Sequence, residues 1–284
     1  MSDHGEQQRC RLERKAYELR LVALETALCG KKGHIPPAYS WAEIASVLFF
    51  GGILQLRPDE PRWAGRDRFI LSKGHACLTL YAAMADLDFF AKTELERFAG
   101  NGSLLPGHPD TAIPGVEACS GSLGHGLGLG AGMAVAARLD RADWRVFVVL
   151  GDGECNEGSI WEAAMFAGHQ KLHNLVAIVD RNRLGATDYT DNYLTLEPLA
   201  ERFRAFGWEA EEVDGHDTLA LCATLKAARN RSEGKPFVLI ARTVKGKGVT
   251  YMEDSPQWHH RMPKGDEIEQ ARTLLRARIA ELSS

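Results

Sequence analysis

Residues 145–150 read RVFVVL, a valine-rich run nearly continuous in apolarity that leads into Gly151-Asp152-Gly153. A stretch apolar at every position, not at every second one, is a strand covered on both faces. Two further runs of the same kind follow, LVAIVD at 175–180 and FVLIART at 237–243. Helical patterns separate them at about 157–171, 197–206 and 217–232. Buried strands alternating with helices build right-handed units around a parallel sheet, so the fold class is α/β, an open, mainly parallel sheet with helices on both faces. A shorter strand is expected at residues 68–71, followed by Ser72-Lys73-Gly74-His75 and an amphipathic stretch to about Phe90.

The flanking segments are readable from their punctuation. Leu12, Tyr17, Leu21, Leu24 and Leu28 recur at helical spacing through residues 9–29, and Gly30 should stop that helix. Two glycines and two prolines between Gly30 and Pro37 predict a loop. Ser40 with Glu43 three residues on reads as a capping box for the next helix, which should end at Gly51-Gly52. Residues 99–130 begin irregular and glycine-rich, then become a helix of small residues over about 122–139, against which something must pack very closely. A charged helix over 266–282 reads as a solvent-facing or partner-facing arm.

Composition narrows the function classes. The 34 Lys and Arg against 38 Asp and Glu give a formal net charge of −4, which excludes a polybasic nucleic-acid binder. No apolar run approaches the roughly 18 residues of a membrane span, and residues 1–10 lack the apolar core of a signal peptide. Neither a nucleic-acid nor a membrane partner is therefore expected. The six cysteines are scattered without framework spacing and read as reduced hydrophobes in a cytoplasmic protein.

The chemistry gathers where the buried strands end. Gly151 and Gly153 allow a sharp turn and a close backbone approach, which presents Asp152 at the carboxyl end of a parallel strand. One helix and one strand later the chain returns to the same sheet edge at Asp180-Arg181-Asn182. A carboxylate from Asp152 and an amide oxygen from Asn182, completed by waters and phosphate oxygens, suit a Mg²⁺ ion that holds a diphosphate. A nearby helix N-terminus adds a dipole that favours anions. Taken singly, Asp152 reads as a cap and Asn182 as a turn residue; taken together, after two buried strands, they read as a site. His34, His75, His108 and His259 all lie in irregular segments beside Gly or Pro, and histidine is the side chain suited to proton transfer near neutrality.

Gly151-Asp152-Gly153 followed about thirty residues later by Asn182 resembles the signature of thiamine diphosphate enzymes. Other blocks narrow the likeness to the transketolases: Gly33-His34, Asp67 to His75, Pro106-Gly107-His108-Pro109, Gly121 to Gly126, Asp214-Gly215-His216-Asp217, Thr243 to Gly248, and Trp258-His259. In this order they cover nearly the whole chain. The resemblance implies one three-layer thiamine diphosphate-binding unit over residues 1–284. N-terminal helices and a substrate loop would occupy about 1–65, the α/β core about 66–250, and a closing loop and helix about 251–284. It implies cofactor contacts from His75, Gly121, Ser122, Leu123, Gly151, Gly153, Glu154, Asn182 and His259. Mg²⁺, or Ca²⁺ or Mn²⁺ in its place, would be held by Asp152, Asn182 and the carbonyl of Leu184. His34, His75, His108 and His259 would serve catalysis along a substrate channel, and Glu157 would lie at a dimer contact.

The same resemblance implies ketol transfer between sugar phosphates. It also places the glutamate that protonates the aminopyrimidine ring in a pyrimidine-binding domain that this chain does not match. A separate subunit carrying that domain and the C-terminal domain, in an α₂β₂ assembly, is therefore expected. Departures from the family pattern are His125 where Gln is usual, His260 where Gly is usual, and Ile35-Pro36-Pro37 after His34. They leave open an enzyme acting on a modified or sulfonated sugar, or a non-catalytic binding protein of the same fold. The histidine set disfavours a 2-oxo acid dehydrogenase subunit, and the expected split disfavours a deoxyxylulose-phosphate synthase.

Overall fold

A computed structural model describes residues 3–283. Residues 1, 2 and 284 of the unit expected over 1–284 lie outside the described residues. In chain order the elements are α1 (Asp3–Gly30), α2 (Ile35–Ser40), α3 (Ala42–Phe50), β1 (Arg68–Leu71), α4 (Cys77–Asp86), α5 (Gly126–Leu139), β2 (Val146–Gly151) and α6 (Gly158–His169). There follow β3 (Leu175–Arg181), α7 (Thr190–Tyr193), α8 (Leu199–Ala205), β4 (Glu209–Asp214), α9 (Thr218–Arg229), β5 (Phe237–Arg242) and α10 (Asp266–Glu281). The strands form one sheet in the order β1-β2-β3-β5-β4, every neighbouring pair parallel.

Why the central runs are apolar at every position is now visible. Along β2, Phe147 and Val149 join one core while Val146, Val148 and Leu150 join the other. Along β3, Val176 and Ile178 divide in the same way from Leu175, Ala177 and Val179. Alternation across the pleat thus sends each strand's residues into two separate hydrophobic layers. Residues of α1, α2, α3, α4 and α9 build the first layer, and residues of α5, α6 and α8 the second.

Several local expectations are corrected. The 30–37 segment is not wholly a loop, because Pro36 and Pro37 fall in the first turn of α2, where a missing N–H costs nothing and φ is already helical. Ser40 caps no helix: its hydroxyl bonds Pro37 and Asp180, and α3 starts after Trp41 without a side-chain cap. Glu43 is accordingly not half of a capping box but the partner of buried Arg20. The stretch before Phe90 is not amphipathic, since nine of the ten residues of α4 are buried. The C-terminal helix is not a free arm. It lies on α1 through buried Ala271 and Leu275, with Arg272 paired to Glu25. Strand β4, EAEEVD, goes unsignalled in the sequence, because as an edge strand it buries only Ala210 and shows solvent its carboxylates.

The small residues of α5 do bring the helix against the sheet. A Cβ on Gly130 would stand 2.6 Å from Cγ2 of Val148, a stiff β-branched side chain in the middle of β2, whereas one on Gly132 would meet nothing within 4 Å. Gly130→Ala should therefore destabilise the chain by about 1–3 kcal/mol through overpacking. Gly132→Ala should stabilise it by up to about 1 kcal/mol through helix propensity. Urea unfolding of the two variants checks the pair, and equal shifts would count against close packing of α5.

Candidate active site

Strands β2 and β3 run in register, with Gly151 beside Asp180, so Asp152 and Asn182 leave the sheet at one edge. Both are buried and both line a cavity of about 510 Å³ at that edge, together with Lys73, His75, Leu123, Gly151, Gly153, Glu154, Leu184, Lys245 and His259. The turn after β2 aims the Asp152 carboxylate: Oδ1 accepts the N–H of Gly153 at 2.8 Å and Oδ2 accepts that of Arg183. Burial, reinforced by the neighbouring negative charge of Asp180, nevertheless pushes Asp152 up to about 6. Asn182 Oδ1 accepts the N–H of Leu184 at 3.1 Å. The Leu184 carbonyl accepts from Lys245 Nζ, also at 3.1 Å.

Beneath these groups lies a hub that the sequence does not disclose. Asp180 is fully buried, and its carboxylate accepts bonds from Lys73 Nζ, the Ser40 hydroxyl at 2.5 Å, the Thr243 hydroxyl and the Asn182 amide at 3.4 Å. Lys73 also donates to the Pro37 carbonyl at 3.1 Å. One side chain thus joins α2 and the exits of β1, β3 and β5. Lys245, the second buried ammonium, donates to the carbonyls of Leu184 and Gly185 and to Nδ1 of His259 at 2.7 Å. Burial and then the charge of Lys73 draw it down to about 7. Lys73 and Lys245 stand inside family-like sequence blocks, but only the three-dimensional pairing reveals what they touch.

The histidines converge. His34 has the rings of His75 and His259 at 5.3 Å, that of His108 at 6.4 Å and that of His260 at 6.2 Å. His75 and His259 lie 5.4 Å apart. Burial holds His34 at about 4, with the charges of His108, His260 and Lys245 adding to it. Burial and then Lys245 hold His259 at about 3, and burial and Lys73 keep His75 well below its usual range. At neutral pH these three rings are therefore uncharged, each with one N–H to give and one lone pair to accept. His108 stands at the outer edge of the cluster and is also lowered by burial.

Other predicted residues are placed unevenly. Leu123 reaches the cavity wall, while Gly121 and Ser122 stand exposed beyond it. Glu154 lines the cavity, but its carboxylate is committed to three ties: the N–H of Gly124 at 2.9 Å, the N–H of Gly151 at 3.0 Å and the Ser72 hydroxyl. His125 is exposed, with Nδ1 3.0 Å from the Leu123 carbonyl. Glu157 is exposed at the start of α6.

The donor set fits a hard divalent cation. Asp152, Asn182 and Leu184 offer a carboxylate, an amide and a carbonyl oxygen, the ligand types Mg²⁺, Ca²⁺ and Mn²⁺ take. A buried carboxylate beside a second negative charge is also what a cation would relieve. Among the described residues no group of three His, Cys, Asp or Glu is arranged for a metal. A cation here would accordingly depend on the amide, the carbonyl and an anionic ligand, for which Lys245 supplies a facing ammonium.

Because His34, His75 and His259 are uncharged when folded and protonate near pH 6.5 when unfolded, unfolding should take up protons. The stability that these rings contribute should be complete above about pH 6.5 and fall as the pH drops toward 4, with Asp152, raised to about 6, opposing part of that fall. Urea midpoints at pH 7.5 and 5.5 test this, with His34→Gln expected to flatten the slope. An unchanged slope in that variant would mean that His34 is not held neutral.

Comparison with known proteins shows the family. The family model described as transketolase, thiamine diphosphate binding domain, matches residues 12–279. One of the subunits of the apulose-4-phosphate transketolase of Phocaeicola vulgatus is 40% identical over 271 residues, which cover 95% of this chain and 96% of that one. The 6-deoxy-6-sulfo-D-fructose transketolase subunit SqwG of a Clostridium species is 36% identical, over 89% of this chain and 92% of that one. The crystal structure of transketolase from Campylobacter jejuni superposes with a TM-score of 0.86 at 27% identity, over 99% of this chain. The match takes in only 46% of that transketolase.

Proposed function

Since the chain belongs to the transketolase family, in its thiamine diphosphate-binding domain, we propose that it is the N-terminal subunit of a split transketolase. The reaction is transfer of a two-carbon ketol unit from a ketose phosphate to an aldose phosphate. The observation that carries this reading is the meeting, at one sheet edge, of the Asp152, Asn182 and Leu184 oxygens with Lys245 and a cluster of uncharged histidines. Asp152 and Asn182 would ligate Mg²⁺ by side chain and Leu184 by its carbonyl. Gly151, Gly153 and Lys245 would face the diphosphate, with His75, Leu123, His259 and the 121–122 backbone along the rest of the cofactor. Thiamine diphosphate supplies, when bound, the nucleophilic carbon and electron sink that ketol transfer needs.

The protein's own part is positioning and proton handling. Nδ1 of His259 accepts from Lys245, so its proton sits on Nε2. His34 and His75, uncharged at neutral pH, can each donate to a sugar hydroxyl or take a proton from it, while His259, its lone pair held by Lys245, can donate from Nε2. His108, at the mouth, orients the substrate. A second reading, that the sugar is a modified one, draws support from the two similar subunits named above. Pro36 and Pro37 stiffen the wall beside His34, and exposed His260 adds a ring there that narrows the entrance.

The proposed partner is a separate chain with the pyrimidine-binding and C-terminal domains, in an α₂β₂ assembly. Support comes from the relatives called subunits, which match this chain nearly end to end. The pair α5 and α6, which pack together, also leaves Leu129, Met165 and Phe166 between 44% and 55% exposed. Among the described residues no helix is long and apolar enough to cross a membrane. All six cysteines are free, which supports a reducing, cytoplasmic location.

Calorimetric titration of thiamine diphosphate with Mg²⁺ tests the reading, using the chain alone and co-expressed with its partner. Binding should be tight only with the partner and should vanish in Asp152→Ala. Tight binding and ketose turnover by the chain alone would overturn the split, and binding without turnover in the complex would make this a binding protein. Placing a charge on the exposed helix face, as in Met165→Asp or Phe166→Asp, should abolish co-purification of the partner while leaving the far-UV spectrum unchanged. Undiminished co-purification would move the interface elsewhere.

A further inference from the structure

The Asp214-Gly215-His216-Asp217 turn has no part in the site as described, and its two acids are fully accounted for locally. Asp214 Oδ1 accepts the N–H of His216 at 2.9 Å, and Asp217 Oδ1 caps α9 through the N–H groups of Leu219 and Ala220 at 2.9 and 3.0 Å. Gly215 lets the turn press on the end of β5. Its N–H bonds the Arg242 carbonyl at 2.7 Å, and a Cβ there would fall 2.4 Å from Thr243 Cγ2. Neither fact explains the imidazole of His216, which reaches away from the turn and is mostly buried.

That ring bridges two partners distant in sequence. Nδ1 lies 3.0 Å from Glu43 Oε2, and Nε2 accepts the N–H of Val244 at 2.9 Å. Glu43 is buried, and although burial alone would raise it, the Arg20 guanidinium and His216 hold it at about 2. An ionised carboxylate can only accept, so the ring proton sits on Nδ1 and the lone pair on Nε2 meets the Val244 amide. Glu43 cannot yield, because Arg20 grips both its oxygens and itself bonds the Tyr39 carbonyl at 3.0 Å. The next residue after Val244 is Lys245, whose ammonium ties Leu184, Gly185 and His259 together at the cavity wall.

We propose that His216 is a positioning residue: anchored to α1 and α3 through Glu43 and Arg20, it fixes the Val244 backbone and thereby holds Lys245 against the cavity. For its effect on the cofactor this rests on the function proposed above; for the loop position it does not. Two variants separate the bonds. Gln places its amide oxygen where Nε2 stands and can still accept from Val244. Asn reaches only to the Nδ1 position and can still donate to Glu43.

Hydrogen exchange of residues 243–248 in the intact chain reads the loop position without any ligand. His216→Asn should speed exchange there by about tenfold while His216→Gln stays close to the unmodified protein. In the complex with its partner chain, thiamine diphosphate with Mg²⁺ should bind the Asn variant about tenfold more weakly, the scale on which second-layer partners of a site act, and the Gln variant almost normally. Equal behaviour of the two variants in exchange overturns the proposal, and so does faster exchange in Asn with no loss of affinity. If the unmodified complex does not bind thiamine diphosphate, the cofactor reading fails, and exchange alone decides whether His216 positions the loop.

Discussion

Asp180 is the buried charge on which this architecture turns. A carboxylate with no access to solvent is costly unless its oxygens are filled and its charge is matched, and here Lys73, Ser40, Thr243 and Asn182 do both. Those partners come from α2 and from the exits of β1, β3 and β5. Satisfying one side chain therefore fixes the relative positions of four segments that meet at the site. The apolar layers hold the sheet together, but they would tolerate small slips of these loops; the hub does not.

Above the hub the charges are sorted. Ammonium groups from Lys73 and Lys245 lie deep, next to Asp152 and Asp180, while the histidines further out are kept uncharged by burial and by those same ammonium groups. Depth thus separates two kinds of recognition. On the proposed function, anions would be met at the floor by the two lysines and hydroxyl-bearing groups nearer the mouth by the uncharged rings. The oxygen set of Asp152, Asn182 and Leu184 stands at the boundary between them, where a cation would join one to the other.

Much of this is legible in the sequence, and the misreadings share a cause. The two-sided strands, the Gly-Asp-Gly turn and the return to Asn182 can be read because each depends on neighbours along the chain. Ser40 reads as a cap because its hydroxyl's true partner, Asp180, lies 140 residues away. Pro36 and Pro37 read as breakers because composition does not say whether prolines begin a helix or end one. Strand β4 escapes because an edge strand with one buried residue has too faint an alternation to notice. Lys73, Lys245 and His216 stand in family-like blocks, but nothing local says what they touch, because that is set only by the folded arrangement.

The acidic edge strand β4 has a further consequence for how copies of this chain can associate. With Glu209, Glu211, Glu212 and Asp214 within six residues, strand-to-strand addition at that edge would set like charges against one another, the kind of arrangement that blunts open-ended pairing. The apolar invitation lies instead on two helices, α5 and α6. That face is the one proposed above for the partner chain, and an assembly closed about a two-fold axis does not propagate. Growth into fibres is discouraged at one side of the molecule while finite assembly is left open at another.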